Sequence, residues 1–254
     1  MERVFITGAS SGIGAALAKI YSARGDVVGL AARRENELQN VAKLLPGKSS
    51  VHVVDVRDSD SVSKAAESFM GQFGTPTIVI ANAGVSYGTL TDDAADIANF
   101  AEVLDINVTG MVRTFQPFMR ALRKAKTGKL VGIASVAGFR GLPGASAYSA
   151  SKAAAISYLE SLRVEMHDTG VEVITLCPGY IETPMTAQNP YRMPFILPVD
   201  KAAGKMIKAI DNSQKFTVLP WQMAAIGGIM RCVPIRLYDT LAAKAGRKPR
   251  KNLT

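Results

Sequence analysis

Cysteine, long apolar runs and an apolar leader are all scarce in this chain. Only two cysteines occur in 254 residues, Cys177 and Cys232. They lack the paired spacing of a metal site, and two thiols cannot build a disulfide framework, so a reducing compartment is expected. The opening "MERVFITGAS" has neither an apolar h-region nor a small-residue cleavage site. No secretory leader is read there, and a cytoplasmic location is expected. The longest apolar stretch near the C-terminus, residues 218–230, is interrupted by Gln222. It falls short of the about twenty residues that a membrane-spanning helix needs. Acidic charge is in deficit too: the formal net charge is +9, which admits nucleic acid, an acidic membrane surface or an anionic ligand. The positive charge is scattered, however, and no aromatic-basic platform accompanies it, so nucleic acid is not an expected partner. Its one dense cluster, the tail "GRKPRKNLT", is expected to be solvated and mobile.

What is present is an ordinary globular balance, 48% hydrophobic and 20% charged, sufficient for one well-buried domain over residues 1–254. Short apolar runs, "RVFITG", "DVVGLAAR", "SVHVVDV", "TIVIANAG", "KLVGIAS" and "VEVITLCPG", alternate with helical patterns such as "GIGAALAKIYSARG". The runs are nearly continuous in Val, Ile and Leu, which predicts strands of a parallel sheet buried on both faces. Repeated strand-helix-strand order predicts an α/β fold, a doubly wound parallel sheet in a three-layer α/β/α sandwich. Ligands of such folds bind beyond the carboxyl ends of the strands.

After the first strand comes "TGASSGIG", residues 7–14. Gly8, Gly12 and Gly14 let the backbone turn tightly, and the amides of Ser10, Ser11 and Ile13 enter a helix whose N-terminus favours an anion. The spacing departs from G-x-G-x-x-G, but its place between a strand and a helix predicts a dinucleotide site. The end of the second strand then sorts the cofactor. "GLAARRENEL" places Ala32 where an acid would hold a ribose, followed by Arg33 and Arg34. A guanidinium binds a 2′-phosphate that a carboxylate would repel, so NADP(H) is expected over NAD(H), with Arg33 as the phosphate contact.

"YSASK" raises a different question. On a helix, Tyr148 and Lys152 share one face, with only Ser and Ala between them. The bland alternative is an ordinary surface pair. With the glycine loop, Asn82-Ala83-Gly84, Ser135, Tyr148-x-x-x-Lys152 and Pro178-Gly179 in this order, the chain resembles the short-chain dehydrogenase/reductase family over about residues 3–185. The resemblance implies a Rossmann-like fold and a carbonyl reductase or alcohol dehydrogenase. It implies that Tyr148 is the proton donor for ketone reduction, or the base for alcohol oxidation, and that Ser135 holds the substrate oxygen. Lys152 would hold the nicotinamide ribose and lower the phenol pKa; a unit charge at ~4 Å is worth roughly 4 kcal/mol at an effective dielectric of about 20. Asn107 matches the helix asparagine that bends the helix and keeps a water near the lysine, and a buried hydrogen-bond anchor is the alternative. Asn82, Ala83 and Gly84 would make room for the adenine ribose. Asp55 and Val56 would contact adenine, unless Asp55 is simply a helix cap. Beyond Pro178 and Gly179, Ile181 and Thr183 would fix the carboxamide.

Residues 184–203 are proline-rich and apolar, with Met185, Tyr191, Met193, Phe195 and Ile196. They predict a lid over an apolar ketone or alcohol, or else plain core packing. The segment from about 220 to 245 departs from the family pattern of a strand-like finish. It predicts a helical extension that packs on the active site, at a subunit interface of a homodimer or homotetramer, or on a membrane surface. A non-catalytic NADP-binding sensor or scaffold on the same fold remains the alternative function.

Overall fold

Alternating apolar and helix-forming stretches put seven parallel strands and ten helices in the computed structural model, among the described residues 1–244 and 246–251. The chain runs β1 (Arg3–Thr7), α1 (Gly12–Ala23), β2 (Val27–Ala32), α2 (Glu35–Lys43), β3 (Ser49–Val53), α3 (Ser59–Phe73), β4 (Ile78–Ala81) and α4 (Asp96–Leu104). It continues through α5 (Gly110–Ala125), β5 (Gly128–Ile133), α6 (Ser146–Glu165), β6 (Val171–Pro178), α7 (Pro184–Ala187) and α8 (Val199–Asp211). The last elements are β7 (Phe216–Leu219), α9 (Trp221–Cys232) and α10 (Ile235–Ala242). The sheet order is β3-β2-β1-β4-β5-β6-β7, every neighbouring pair parallel. Strand order therefore reverses between β1 and β4, which opens a crevice at the carboxyl ends of those strands.

Side chains of a strand alternate between faces, so β1 feeds both layers. Val4 and Ile6 join Leu17 of α1 and Met206 and Ile210 of α8, while Phe5 joins Phe69 of α3 and Phe118 of α5. The Phe5 ring lies 5.5 Å from Phe69 and 5.0 Å from Phe118. Each such buried ring contributes roughly 1.5–3 kcal/mol through the area it removes from water. Gly29 of β2 makes this cluster possible, because a Cβ there would stand 2.6 Å from the Phe69 ring. The edge strands break the expected two-sided burial. Val53 of β3 and Phe216 of β7 are each about half exposed, 52% and 50%, having a neighbouring strand on one side only.

The segment expected as a lid divides in two. Residues 199–203 open α8, whose Ala202 and Ala203 are fully buried in the core layer with α1, so only the stretch before Val199 borders the crevice. That stretch is stitched down by hydrogen bonds from Glu182 N to Leu197 O (2.9 Å) and from Leu197 N to Tyr180 O (3.0 Å). The C-terminal extension forms α9 and α10, and no described helix is long and apolar enough to cross a membrane. Its inner side is attached beside β5. A Cβ at Gly227 would collide with Phe139, and the Arg140 guanidinium donates to the carbonyls of Met230 (2.8 Å) and Val233 (3.1 Å) while lying 4.1 Å over the Tyr238 ring. Its outer side leaves Trp221, Ile229, Ile235, Leu237 and Leu241 exposed.

The basic tail corrects an expectation. Residues 246–251 do not run free in solvent; they return across the molecule to the loop after β4. Gly88 N donates to Pro249 O at 2.7 Å. Arg250 pairs with Asp93 and with Asp96 (2.9 Å to the latter), and Lys251 pairs with Glu102 at 2.7 Å. Complementary charge on α4 and the turn before it holds the strap, a contact that spans more than 140 residues of sequence and has no local signature. Residues 252–254 of the tail lie outside the described residues.

Candidate active site

The crevice is a groove of about 260 Å³ whose walls come from the loops after six strands. Gly8, Ser10, Ser11, Gly12 and Ile13 form one end, with Arg33, Asp55 and Val56 beside them. Asn82, Ala83 and Gly84 line the middle, and Ser135, Tyr148, Lys152, Pro178, Gly179, Ile181 and Thr183 the other end. The glycine loop needs its glycines for two different reasons. Gly8 and Gly12 have φ of 68° and 54°, the left-handed region that side chains disfavour, whereas Gly14 faces away from the groove. A Cβ on Gly14 would press into the Gly8 carbonyl and stand 2.6 Å from Asn82 Nδ2, so this third glycine permits close packing rather than ligand approach. Asn82 in turn clamps the loop: its Nδ2 donates to the carbonyls of Thr7 (3.0 Å) and Gly8 (3.1 Å).

At the β2 end, Ala32 leaves the wall open and Arg33 is exposed with no ion pair among the described residues. Arg34 is more engaged. It donates to Ser10 Oγ (3.2 Å) and Ser11 Oγ (3.4 Å) and pairs with Glu37 at 2.8 Å, joining the start of α2 to the glycine loop. The Asp55 carboxylate is occupied by Arg57, with a shortest contact of 2.6 Å, and this bonding holds it below the usual carboxylate range. It lines the groove without capping a helix, since Asp58 caps α3 by accepting from Asp60 N.

Asn107 does not line the groove. It sits in a single π turn, Asp105–Thr109, between α4 and α5, so the helix does widen at this residue. Its Oδ1 accepts from Val85 N (2.8 Å), and its Nδ2 donates to Val85 O (3.0 Å) and Ser151 Oγ (3.0 Å). Ser151, fully buried, donates onward to Tyr148 O at 2.8 Å. This is the buried-anchor arrangement, and it fixes the first turns of α6 against the loop after β4. An added Cβ on Gly84 would sit 3.1 Å from Asn107 Oδ1 and 3.8 Å from Lys152 Nζ, so the bare glycine leaves space between them.

Tyr148 and Lys152 lie on one face of α6, and no hydrogen bond joins the phenol to the ammonium. Lys152, 6% exposed, donates to Ile133 O at 2.8 Å, and its nitrogen is 5.8 Å from the Tyr148 ring centroid. Burial lowers its pKa to about 8. Burial likewise raises the Tyr148 phenol, against an opposing hydrogen bond with Ser135, and the neighbouring Tyr180 adds to the rise. The phenol is thus a firmly protonated donor in the free protein. Ser135 closes β5 and caps a 3₁₀ turn over residues 136–138; its Oγ accepts from Ala137 N (3.2 Å) and donates to Pro178 O (3.3 Å). Cys177 is buried behind Lys152, its thiol pushed up to about 12 and therefore neutral.

Four residues were not singled out by pattern. Ser151 lay inside "YSASK" but reads there only as a small spacer. Gly138 admits the 3₁₀ turn against α6, since a Cβ would stand 2.6 Å from the Lys152 carbonyl carbon; the glycine in "VAGFRG" was its only signal. Arg34 was visible beside Arg33, without any hint that it would reach the loop serines. Lys248 had no signal. The strap brings its ammonium onto Ser86 Oγ and within 4.8 Å of the Tyr148 ring centroid.

A three-layer parallel sandwich with a buried tyrosine and lysine at the far end of a glycine-walled groove is the form in which α/β folds bind a ligand beyond their strand ends. The sequence profile described as short chain dehydrogenase matches residues 2–193, and the chain belongs to that family. It is 35% identical over 242 residues to an "uncharacterized oxidoreductase" of Myxococcus xanthus, covering 94% of this chain and 95% of that one. It is 38% identical over 246 residues to an 11-beta-hydroxysteroid dehydrogenase A of Arachis hypogaea, covering 94% of this chain but 65% of the longer relative. The corresponding protein of Sesamum indicum is 38% identical over 191 residues, with 72% of this chain and 53% of the relative covered. Among solved structures, an alcohol dehydrogenase of the archaeon Thermococcus sibiricus complexed with 5-hydroxy-NADP superposes with a TM-score of 0.77 at 25% identity, covering 86% of this chain and 96% of that one. A short-chain type dehydrogenase/reductase of Mycobacterium marinum gives 0.76 at 27%, covering 85% and 93%. The protein is accordingly an oxidoreductase of a family that works with nicotinamide cofactors on small molecules bearing CH–OH groups.

Proposed function

We propose that this protein is an NADP(H)-dependent oxidoreductase that interconverts a ketone and a secondary alcohol on a largely apolar substrate. The observation that carries the reading is the convergence of Ser135, Tyr148 and Lys152 at the end of the same groove that the glycine loop opens. The groove fits a dinucleotide: Gly8 and Gly12 hold backbone where a side chain would intrude, and Lys152 stands at the far end of a continuous wall from Ser10 to Thr183. Arg33 and Arg34 flank the ribose end, where Ala32 replaces an acid, and this favours a 2′-phosphate. Once bound, the nicotinamide supplies or accepts the hydride.

The chain's own residues account for the rest. Ser135 Oγ, already facing a carbonyl, holds the substrate oxygen near the phenol. In reduction Tyr148 gives its proton to that oxygen, and in oxidation it takes the proton back; the raised phenol pKa strengthens the phenolate as base and leaves the donation step to be assisted by Lys152. Lys152 holds the cofactor ribose and stabilises the phenolate as it forms, because a cation costs less in this buried site once anionic charge develops beside it. Asn107 acts through Ser151 by fixing α6. Met185 offers the groove an apolar wall for the substrate, and Tyr180 and Tyr191 follow β6 with their rings 6.4 Å apart.

The exposed apolar face of α9 and α10 supports a subunit contact in a homodimer or homotetramer. Light scattering on the full chain, with liposome co-sedimentation as the check on a membrane-surface contact, separates the two. Oxidation of NADPH and NADH against ketones graded by chain length and ring content tests the activity itself. Turnover with NADPH above NADH is expected. Tight NADPH binding without turnover of any ketone would favour the sensor or scaffold reading instead.

A further inference from the structure

The strap of residues 246–251 carries four cations across the substrate side of the groove, Arg247, Lys248, Arg250 and Lys251, and the last two are neutralised. Arg250 is taken by Asp93 and Asp96 and Lys251 by Glu102, which also accepts from Tyr87 OH at 2.5 Å. Lys248, between the strap's start and these anchors, has no carboxylate partner among the described residues; Ser86 Oγ accepts one of its three donors. The same strap walls a second cavity of about 300 Å³, lined by Ser86, Tyr87, Met185, Asn189, Pro249 and Arg250. Met185 also lines the cofactor groove, so the two spaces adjoin there. The Lys248 ammonium thus stands between Tyr148, 4.8 Å from its ring centroid, and a residue of the cavity wall.

Resting on the ketone and alcohol reading of the site, we propose that Lys248 is a substrate-recognition residue that binds an anionic group, such as a carboxylate, on the substrate whose carbonyl or alcohol carbon faces Tyr148. An ammonium held in a half-buried position with spare donors is destabilised until an anion meets it, and burial already lowers Lys248 to about 8. Among the described residues, Asp93, Asp96 and Glu102 are each committed to Arg250, Lys251 or Arg57, which leaves Lys248 open to an anion supplied by a ligand. The apolar lining at Met185, shared by the groove and the second cavity, then receives the body of the same molecule, and the substrate is an apolar ketone or alcohol with one acidic end.

The experiment compares matched pairs, keto acids of graded chain length and their methyl esters, with NADPH and the full chain. The parent protein is expected to prefer the acid of at least one pair. Lys248→Met is expected to lower the acid-to-ester ratio of kcat/KM by about 10- to 100-fold, carried by KM, the size of a charge-assisted hydrogen bond. Lys248→Arg is expected to restore most of the preference. A parent that shows no preference for any acid would overturn the proposal. So would an equal loss for acid and ester in Lys248→Met with a displaced pH profile, which would make Lys248 a tuning group for Tyr148, or a gain for both, which would make the strap a plug. Absence of turnover with both members in the parent would overturn the oxidoreductase reading, and the proposal with it.

Discussion

The two ends of the groove are built differently. The cofactor end is made of short turns directly after β1, β2, β3 and β4, held by contacts such as Asn82 Nδ2 to the Thr7 and Gly8 carbonyls. The other end is bordered by the stretch before α8 and by a strap whose Arg250 pairs with a residue 157 positions earlier. A strand-bound turn has few ways to place its backbone, so its chemistry is written in a local motif. A wall made of distant segments has no such motif.

Several changes would break or sharpen this contrast. The largest effect is expected at the point where the ends meet: Tyr148→Phe removes the proton donor and should lower kcat by about 10²–10⁴-fold while NADPH affinity, read by fluorescence titration, stays close to the parent's. Retained turnover would sink the assigned mechanism. A purely cofactor-end change, Arg33→Ala, should weaken NADPH by about 10- to 100-fold and leave NADH nearly as before. An equal loss for both cofactors would mean that Arg33 does not read the 2′-phosphate.

The pH profile probes the junction more gently. Burial depresses Lys152 to about 8, so the cation is present below that pH and is lost as pH rises through it, while the raised Tyr148 phenol stays protonated. For ketone reduction kcat/KM should therefore fall about tenfold per pH unit above about 8. Lys152→Arg should move this limb upward, since a guanidinium remains charged. A limb that stayed in place would belong to Lys248, which burial also lowers to about 8. The smallest effect is at the substrate end. Asp93→Asn loosens one exposed anchor of the strap and should leave global stability close to the parent's, because solvent screens such pairs. Limited proteolysis should nevertheless cut near the tail faster, and an unchanged cleavage rate would show that the remaining contacts suffice.

The parallel sheet and its layers were legible because continuous Val, Ile and Leu runs admit few partners other than helices on both faces. The groove residues were legible by kind and position. Gly14 and Asn107 were not legible in their local duty, since a glycine that lets backbone approach and one that packs a helix look alike in sequence, as do a water-holding and an anchoring asparagine. The lid boundary failed similarly: Ala202 and Ala203 continue an apolar stretch, and only their burial against α1 assigns them to α8.

By itself the sequence determined the layered α/β fold, the glycine turn and the presence of a serine, a tyrosine and a lysine at strand and helix ends, because backbone sterics and hydrophobic periodicity act over a few residues. The tertiary structure alone decided that Lys152 bonds Ile133 rather than Tyr148, that Arg34 reaches the loop serines, and that the basic tail folds back to set Lys248 beside Tyr148. Those outcomes depend on which charges and carbonyls meet across the folded chain, and their partners lie from 19 to 162 residues away.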